Sequence, residues 1–202
     1  MRTMIVNALL YINLLRTFPA IVAFYQSPGR ECIEKDIAVW KRLNRIDDMC
    51  QWKQLCWLLT FRCEFRNLFY KRVQKHSWFF AKMLTIVLPP LDSLFIATED
   101  IGPGLYIQHG FSTIIAAKSL GANCWVNQQV TIGFSNSYDS PVIGNNVRIT
   151  AGAVVIGKVT VGDNVMIGAN ATVTKDVPHD CTVVGNPAFI VKRDGQKVKE
   201  YL

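Results

Sequence analysis

From Ser27 to Leu88 the apolar residues return at helical spacing. Ile33, Ile37, Trp40 and Leu43 stand three or four apart, the step that lines one face of an α-helix. Ser27-Pro28 offers an N-cap followed by proline at the first helical position, a favoured helix start. The stretch WKQLCWLLTFRCEFRNLFYKRV is apolar with scattered arginines, and SWFFAKMLTIVL runs into Pro89-Pro90. Proline lacks the amide donor and disfavours helix in the residue before it, so the pair is expected to end the helical part. The aromatic residues of this part read as core.

After Pro90 the period changes. Ile143, Ile149, Val155, Val161, Ile167 and Val173 stand six apart, and four residues after each come Val147, Ala153, Val159, Val165, Ala171 and Val177. The same frame extends back through Ile132, Val126, Leu120 and Ile114 and, with one extra residue, to Ile107 and Ile101. A period of six fits neither a helix nor a simple strand. It fits a parallel β-helix of hexapeptide repeats, in which every sixth residue points into a narrow prism. Glycine follows the apolar residue at Gly144, Gly162 and Gly168, as corners short of room for a Cβ demand. A stack of this kind needs a cap at each end, assigned here to the helices and to the C-terminal FIVKRDGQKVKEYL. The predicted organisation is α + β: a helical region 1–90, a β-helix 91–185 and a cap or tail 186–202.

The frame breaks twice. One residue is inserted between Ile107 and Ile114, beside His109, and eleven steps separate Ile132 from Ile143. The second break is rich in Gly, Ser, Asn and Pro and reads as a loop leaving the prism. Irregular segments on a rigid solenoid are where function collects.

Charge divides the chain. Residues 1–98 hold 14 Lys+Arg against 7 Asp+Glu and residues 99–202 hold 8 against 8, so the whole +7 excess lies in the first half. The basic residues are dispersed among large aliphatics without a nucleic-acid motif, so no nucleic-acid partner is expected. Six cysteines at 32, 50, 56, 63, 124 and 181 form no Cys-x-x-Cys pair. That argues against a zinc site or a disulfide scaffold and for a reducing, cytoplasmic setting.

The first 25 residues are apolar, but Arg16 and Pro19 interrupt them, leaving charge-free stretches shorter than the ~20 residues of a spanning helix. No small-residue cleavage site follows, which argues against a signal peptide. On a helical wheel Arg2, Asn13, Arg16 and Thr17 share one side, with Asn7 the exception. Two roles fit this segment equally: a helix lying on the inner membrane face as a peripheral contact, or one buried at a subunit interface.

Among three histidines, at 76, 109 and 179, only His109 lies at a break in the frame. Neutral imidazole can take a proton from an alcohol that is otherwise a poor nucleophile. The alternative is a hydrogen-bonded turn residue. Three histidine ligands at coil spacing are lacking, which argues against a zinc β-helix hydratase; no metal is expected.

IGPGLYIQHGFSTII, VNQQVTIG, VIGNNVRITAGAVVIG, VGDNVMIGANATVTKDVP and VVGNPAFIVK, within residues 95–193, resemble the hexapeptide-repeat acyltransferases, specifically their serine acetyltransferase-like branch. The resemblance implies a left-handed β-helix, acetyl-CoA as cosubstrate, and a homotrimer, with trimers pairing into a dimer of trimers through the helical half as an open alternative. His109 matches the family's general base after Ile101-Gly102-Pro103-Gly104. Ala151 and Ala169, 18 residues apart, match positions along which the pantetheine arm runs. Gly133 is a candidate for a backbone N–H toward the thioester oxygen, and Lys175, Lys192 and Arg193 are candidates for the CoA phosphates.

Three departures bear on the acceptor. The aspartate before the histidine is replaced by Gln108, a second histidine by Ser140, and the aspartate about fifteen residues upstream by Leu94. Asp92 is the nearest carboxylate and the candidate to orient His109. With these charges lost, the expected acceptor is a neutral hydroxyl compound, such as a sugar in surface-polysaccharide assembly, met by Gln108, Asn127, Gln128, Gln129 and Ser140. L-serine, as in cysteine biosynthesis, is the alternative, and a non-catalytic scaffold is the second.

Overall fold

The computed structural model describes residues 2–202, with side-chain surroundings from residue 8 onward; Met1 and the Arg2 and Asn7 side chains of the wheel lie outside the described residues. The chain divides into two units, 1–91 and 92–202.

The first unit holds α1 (Arg2–Gln26), α2 (Arg30–Asn44), α3 (Gln51–Phe61), α4 (Cys63–Gln74) and α5 (Trp78–Val87). Pro19 does not interrupt α1. The carbonyl it leaves without an amide partner is that of Leu15, the most exposed apolar residue of the helix, where water can serve it. Ser27 is not the cap of α2: that helix starts from Gly29, and the Ser27 hydroxyl accepts from the Gly29 N–H at 3.2 Å. The wheel's polar side is wet only in part: Arg16 is exposed and Asn13 half-buried. Thr17 is buried, donates to the Asn13 carbonyl at 3.0 Å and meets Cys56 Sγ at 3.2 Å. Ile33, Ile37 and Trp40 are buried on α2, and the Trp40 and Phe65 rings meet edge to face at 5.3 Å. Beside them Arg72 holds Asp36 in a two-point ion pair, Nε to Oδ2 at 2.9 Å and Nη2 to Oδ1 at 3.3 Å, with both side chains buried.

The second unit is a left-handed parallel β-helix with three faces. The first sheet is β1 (Leu94–Ile96), β4 (Thr113–Ile115), β7 (Thr131–Gly133), β10 (Val154–Ile156) and β13 (Thr172–Val173). The second is β2 (Asp100–Ile101), β5 (Ser119–Leu120), β8 (Val142–Ile143) and β11 (Thr160–Val161). The third is β3 (Tyr106–Ile107), β6 (Trp125–Val126), β9 (Arg148–Ile149), β12 (Met166–Ile167) and β14 (Cys181–Val184), extended by β15 (Phe189–Arg193) and β16 (Gln196–Tyr201). Every pairing up to β14 is parallel, whereas β14–β15–β16 is antiparallel and closes the end.

The inward residues are those of the six-residue frame: Val126, Ile132, Ile149, Val155 and Ile167 are fully buried. Corners are tight. A Cβ on Gly121 would stand 2.4 Å from the Gly144 carbonyl oxygen, so that turn takes no side chain. At another corner Asn123, Asn146, Asn164 and Asp180 adopt positive φ. There Asn146 donates to Asn164 at 3.0 Å and Asn164 to Asp180 at 2.9 Å.

The frame fails at Ile114. It is Ile115 that stands beside Ile132, while Ile114 pairs with Thr131 and is 42% exposed. Thr113 and Ile115 point inward instead, because successive strand residues alternate faces. The extra length next to His109 is therefore two residues, recovered by a five-residue step from Ile115 to Leu120.

Candidate functional site

The edge where the third sheet turns into the first gathers most of the predicted site. His109 lies on it between β3 and β4 and is exposed. Its φ is +64° and that of Ser112 +52°, a region that L-residues seldom adopt, although His enters it more readily than Ser. The Phe111 N–H donates to the His109 carbonyl, closing the turn. The next coil stacks on this turn: Gln108 N–H donates to the Val126 carbonyl at 2.8 Å and Gln129 N–H to that of Phe111 at 3.0 Å. Then Gly152 N–H donates to Gln128 and Asn170 N–H to Ala151. So Gln108, His109, Asn127, Gln128, Gln129, Ala151 and Ala169 share one edge, with the alanines on successive coils beyond the amides.

Asp92 precedes β1 at the start of this edge, where Ser93 accepts from the Thr113 N–H at 3.0 Å. It is exposed, and among the described residues no hydrogen bond joins it to His109.

Gln108 is held. Its Oε1 accepts from Trp125 Nε1 at 3.2 Å and from Asn127 Nδ2 at 3.3 Å. Tyr106 packs edge-on to Trp125 at 4.7 Å, and the Arg148 guanidinium covers the indole at 4.2 Å. Tyr106, Trp125 and Arg148 escaped the sequence reading, although each directly precedes an inward residue (Ile107, Val126, Ile149) and so must share the outer face. Two acceptors remain open: Asn127 Oδ1 and Gln128 Oε1 are buried without a hydrogen-bond partner. A buried acceptor without a donor is costly, so both are suited to an N–H or O–H that comes from outside this chain.

The remaining candidates lie elsewhere. Gly133 ends β7, where the first sheet turns into the second, and a Cβ there would meet nothing within 4 Å. Ser140 belongs to the loop that leaves the prism at this edge, folded on itself by Asn136, whose Oδ1 accepts from the Tyr138 and Asp139 amides at 2.9 Å. Lys175 follows β13 on the same side, donates to the Leu202 carbonyl at 2.5 Å and helps line a cavity of ≈170 Å³ with Thr172, Pro187 and Tyr201. Lys192 and Arg193 are on β15, Arg193 paired with Glu200 at 2.5 Å. The cations expected at the CoA phosphates are thus divided between the first and third sheets, and two of them have partners within the chain. His179, Asp180 and Asp194 bring ligand atoms within 4.8 Å of one another at the surface. There His179 is already paired with Asp180 at 2.7 Å, and that hydrogen bond raises its pKa.

Residues 140–175 match the family model "Bacterial transferase hexapeptide (six repeats)". A serine acetyltransferase of Synechococcus elongatus is 35% identical over 133 residues, 60% of this chain and 54% of that protein. Among solved structures, the serine acetyltransferase of Neisseria gonorrhoeae superposes with a TM-score of 0.65 at 28% identity, over 84% of this chain and 68% of that one. This chain is thus similar to hexapeptide-repeat transferases over residues 140–175 and to serine acetyltransferases over a longer stretch. The soybean serine acetyltransferase complexed with serine also matches, with a TM-score of 0.65 and 26% identity over 84% of this chain and 72% of that one. The chain spans about half the length of the curated relatives it matches.

Proposed function

We propose that this chain is an acetyl-CoA-dependent O-acetyltransferase and that its acceptor is L-serine. The observation that carries the reading is the edge that exposed His109 shares with the buried, unpartnered acceptors Asn127 Oδ1 and Gln128 Oε1. Relatives named serine acetyltransferase, and the serine complex of one of them, support L-serine over the sugar that the sequence alone favoured. A ring nitrogen of His109 takes the hydroxyl proton as the oxygen attacks the thioester carbon. The C–S bond then breaks, and the leaving thiolate recovers that proton from the imidazolium. The products are an O-acetyl ester and the CoA thiol.

Gly133, Ser140 and Lys175 stand on a different edge of the prism from His109. A second copy set edge to edge would bring them to it, which supports the homotrimer. A neutral sugar acceptor remains the second reading, favoured by Gln108: its amide, already engaged with Trp125 and Asn127, puts no negative charge where an ammonium would sit.

The test is release of free thiol from acetyl-CoA with L-serine and, separately, with a panel of sugars, for the wild-type chain and His109→Ala. Turnover with serine that the variant loses supports the proposal. Turnover with sugars alone moves the assignment to the second reading, and no release with any acceptor leaves a scaffold.

A further inference from the structure

The helical unit carries an apolar surface that its own core does not use. On α1 the inner residues Leu10, Thr17, Ala20 and Phe24 are buried, yet the outer residues Ile12, Leu15 and Phe18 are also apolar and lie 72%, 86% and 57% exposed. α5 repeats the arrangement: Ala81 and Leu84 are buried, while Phe79, Met83 and Ile86 are exposed. The Arg16 guanidinium donates to the Val87 carbonyl at 2.9 Å, so the two helices lie side by side. A helix apolar on both faces is ordinarily buried on both or set against lipid.

Charge indicates what covers this face. Neither α1, α3 nor α5 contains an Asp or Glu; the acidic residues of residues 1–91 fall on α2, on α4 and at Asp47-Asp48. The charged residues beside the apolar ones are Arg16, Lys82 and Lys53, the last 5.6 Å from the Tyr11 ring. A second copy set on this face would bring cations toward cations with no acid between them. A surface of anionic headgroups complements it.

We propose that the α1–α5 face docks on an anionic lipid bilayer, with Leu15, Phe18, Phe79 and Ile86 entering the acyl boundary and Arg16, Lys53 and Lys82 at the headgroups. The helix lies on the bilayer and does not cross it. α1 holds a 19-residue window, Ala8–Gln26, long and apolar enough to span, but Arg16 sits at its middle and its inner stripe is packed against the unit. Tyr11, Tyr25 and Trp78, all exposed, supply the amphipathic rings typical of the interface.

The test is flotation of the full chain with vesicles of phosphatidylcholine alone and of phosphatidylcholine with phosphatidylglycerol, each at low and high salt. Binding is expected to the anionic vesicles and to weaken with salt. Leu15→Glu combined with Ile86→Glu changes only exposed positions and is expected to lower vesicle affinity ~100-fold. Lys82→Glu, also exposed, reads the charge alone and is expected to lower it several-fold. Circular dichroism melting and light scattering accompany both variants. Failure to float, or equal binding to neutral vesicles, overturns the proposal. So does a double variant that floats like the wild type, or one whose only change is a smaller mass in solution, which would make the face a contact between copies. None of these outcomes depends on the acetyltransfer activity.

Discussion

Trp125 donates its indole N–H to Gln108 one coil away, and that bond at 3.2 Å fixes the side chain directly before His109. The same oxygen accepts from Asn127, so one neutral carboxamide organises the outer face of two coils. Gln108→Ala removes the acceptor from both donors and leaves Asn127 free to rotate. The expected result is a rise in acceptor KM of about 10-fold, the worth of one to two hydrogen bonds. The acetyl-CoA KM should stay unchanged. Steady-state kinetics with each substrate varied in turn separates the two; an equal rise in both would place Gln108 in general folding instead of acceptor binding.

The Asp36–Arg72 pair makes a prediction about the helical unit. Both side chains are buried and joined at two points. Removing one partner leaves an uncompensated charge in the core, which costs roughly 3–5 kcal/mol. Asp36→Ala is therefore expected to lower the urea midpoint of that unit sharply. Arg72→Lys, which keeps the charge but not the two-point geometry, should cost less. A midpoint unmoved by Asp36→Ala would mean that water reaches Arg72.

The corner ladder tests the solenoid. Asn164 sits at φ +59°, accepts from Asn146 and donates to Asp180. Asn164→Ala loses both bonds and keeps a side chain where positive φ penalises one, for an expected loss of about 2 kcal/mol. Asn164→Gly loses the bonds but relieves the backbone, so about 1 kcal/mol is expected. Thermal unfolding that ranks glycine below alanine would remove the conformational part of this account.

What could be read in advance follows from how local each signal is. The six-residue frame is set by a prism too narrow for more than one aliphatic chain per face, so Ile132, Ile149, Val155 and Ile167 declared themselves inward. Ile114 did not follow, because a wide turn at His109 shifts the alternation by one residue, and no residue in that turn announces the shift. The buried ion pair of the helices could not be read in advance. Arg72 and Asp36 stand 36 residues apart, and nothing in either neighbourhood marks them as a buried pair rather than wet surface. At the site, only His109 was marked by its place at a break in the frame; Asn127–Gln129 lie in a regular six-residue step and were singled out by their amide side chains. The hold that Trp125 has on Gln108 was not, since it depends on which outward residues stack across coils.

Cys124 gives a pH dependence with a definite sign. Its Sγ lies 3.2 Å from the Gly144 carbonyl, and burial pushes the thiol up from 9.0 to about 11. Folded chains thus keep a proton that unfolded chains release once pH passes 9. The unfolded state then binds fewer protons, so stability is fully present below that pH and declines as pH rises through about 11. The whole decline from this one thiol amounts to at most about 3 kcal/mol. Cys124→Ala removes this titration and is expected to flatten the fall in solenoid stability between pH 9 and 11, while costing a smaller, pH-independent amount for the vacated volume. Denaturant titrations at pH 8, 9, 10 and 11 on wild type and variant provide the measurement. Parallel curves would assign the alkaline loss to other groups of the solenoid, beginning with Cys181, whose thiol burial also pushes upward.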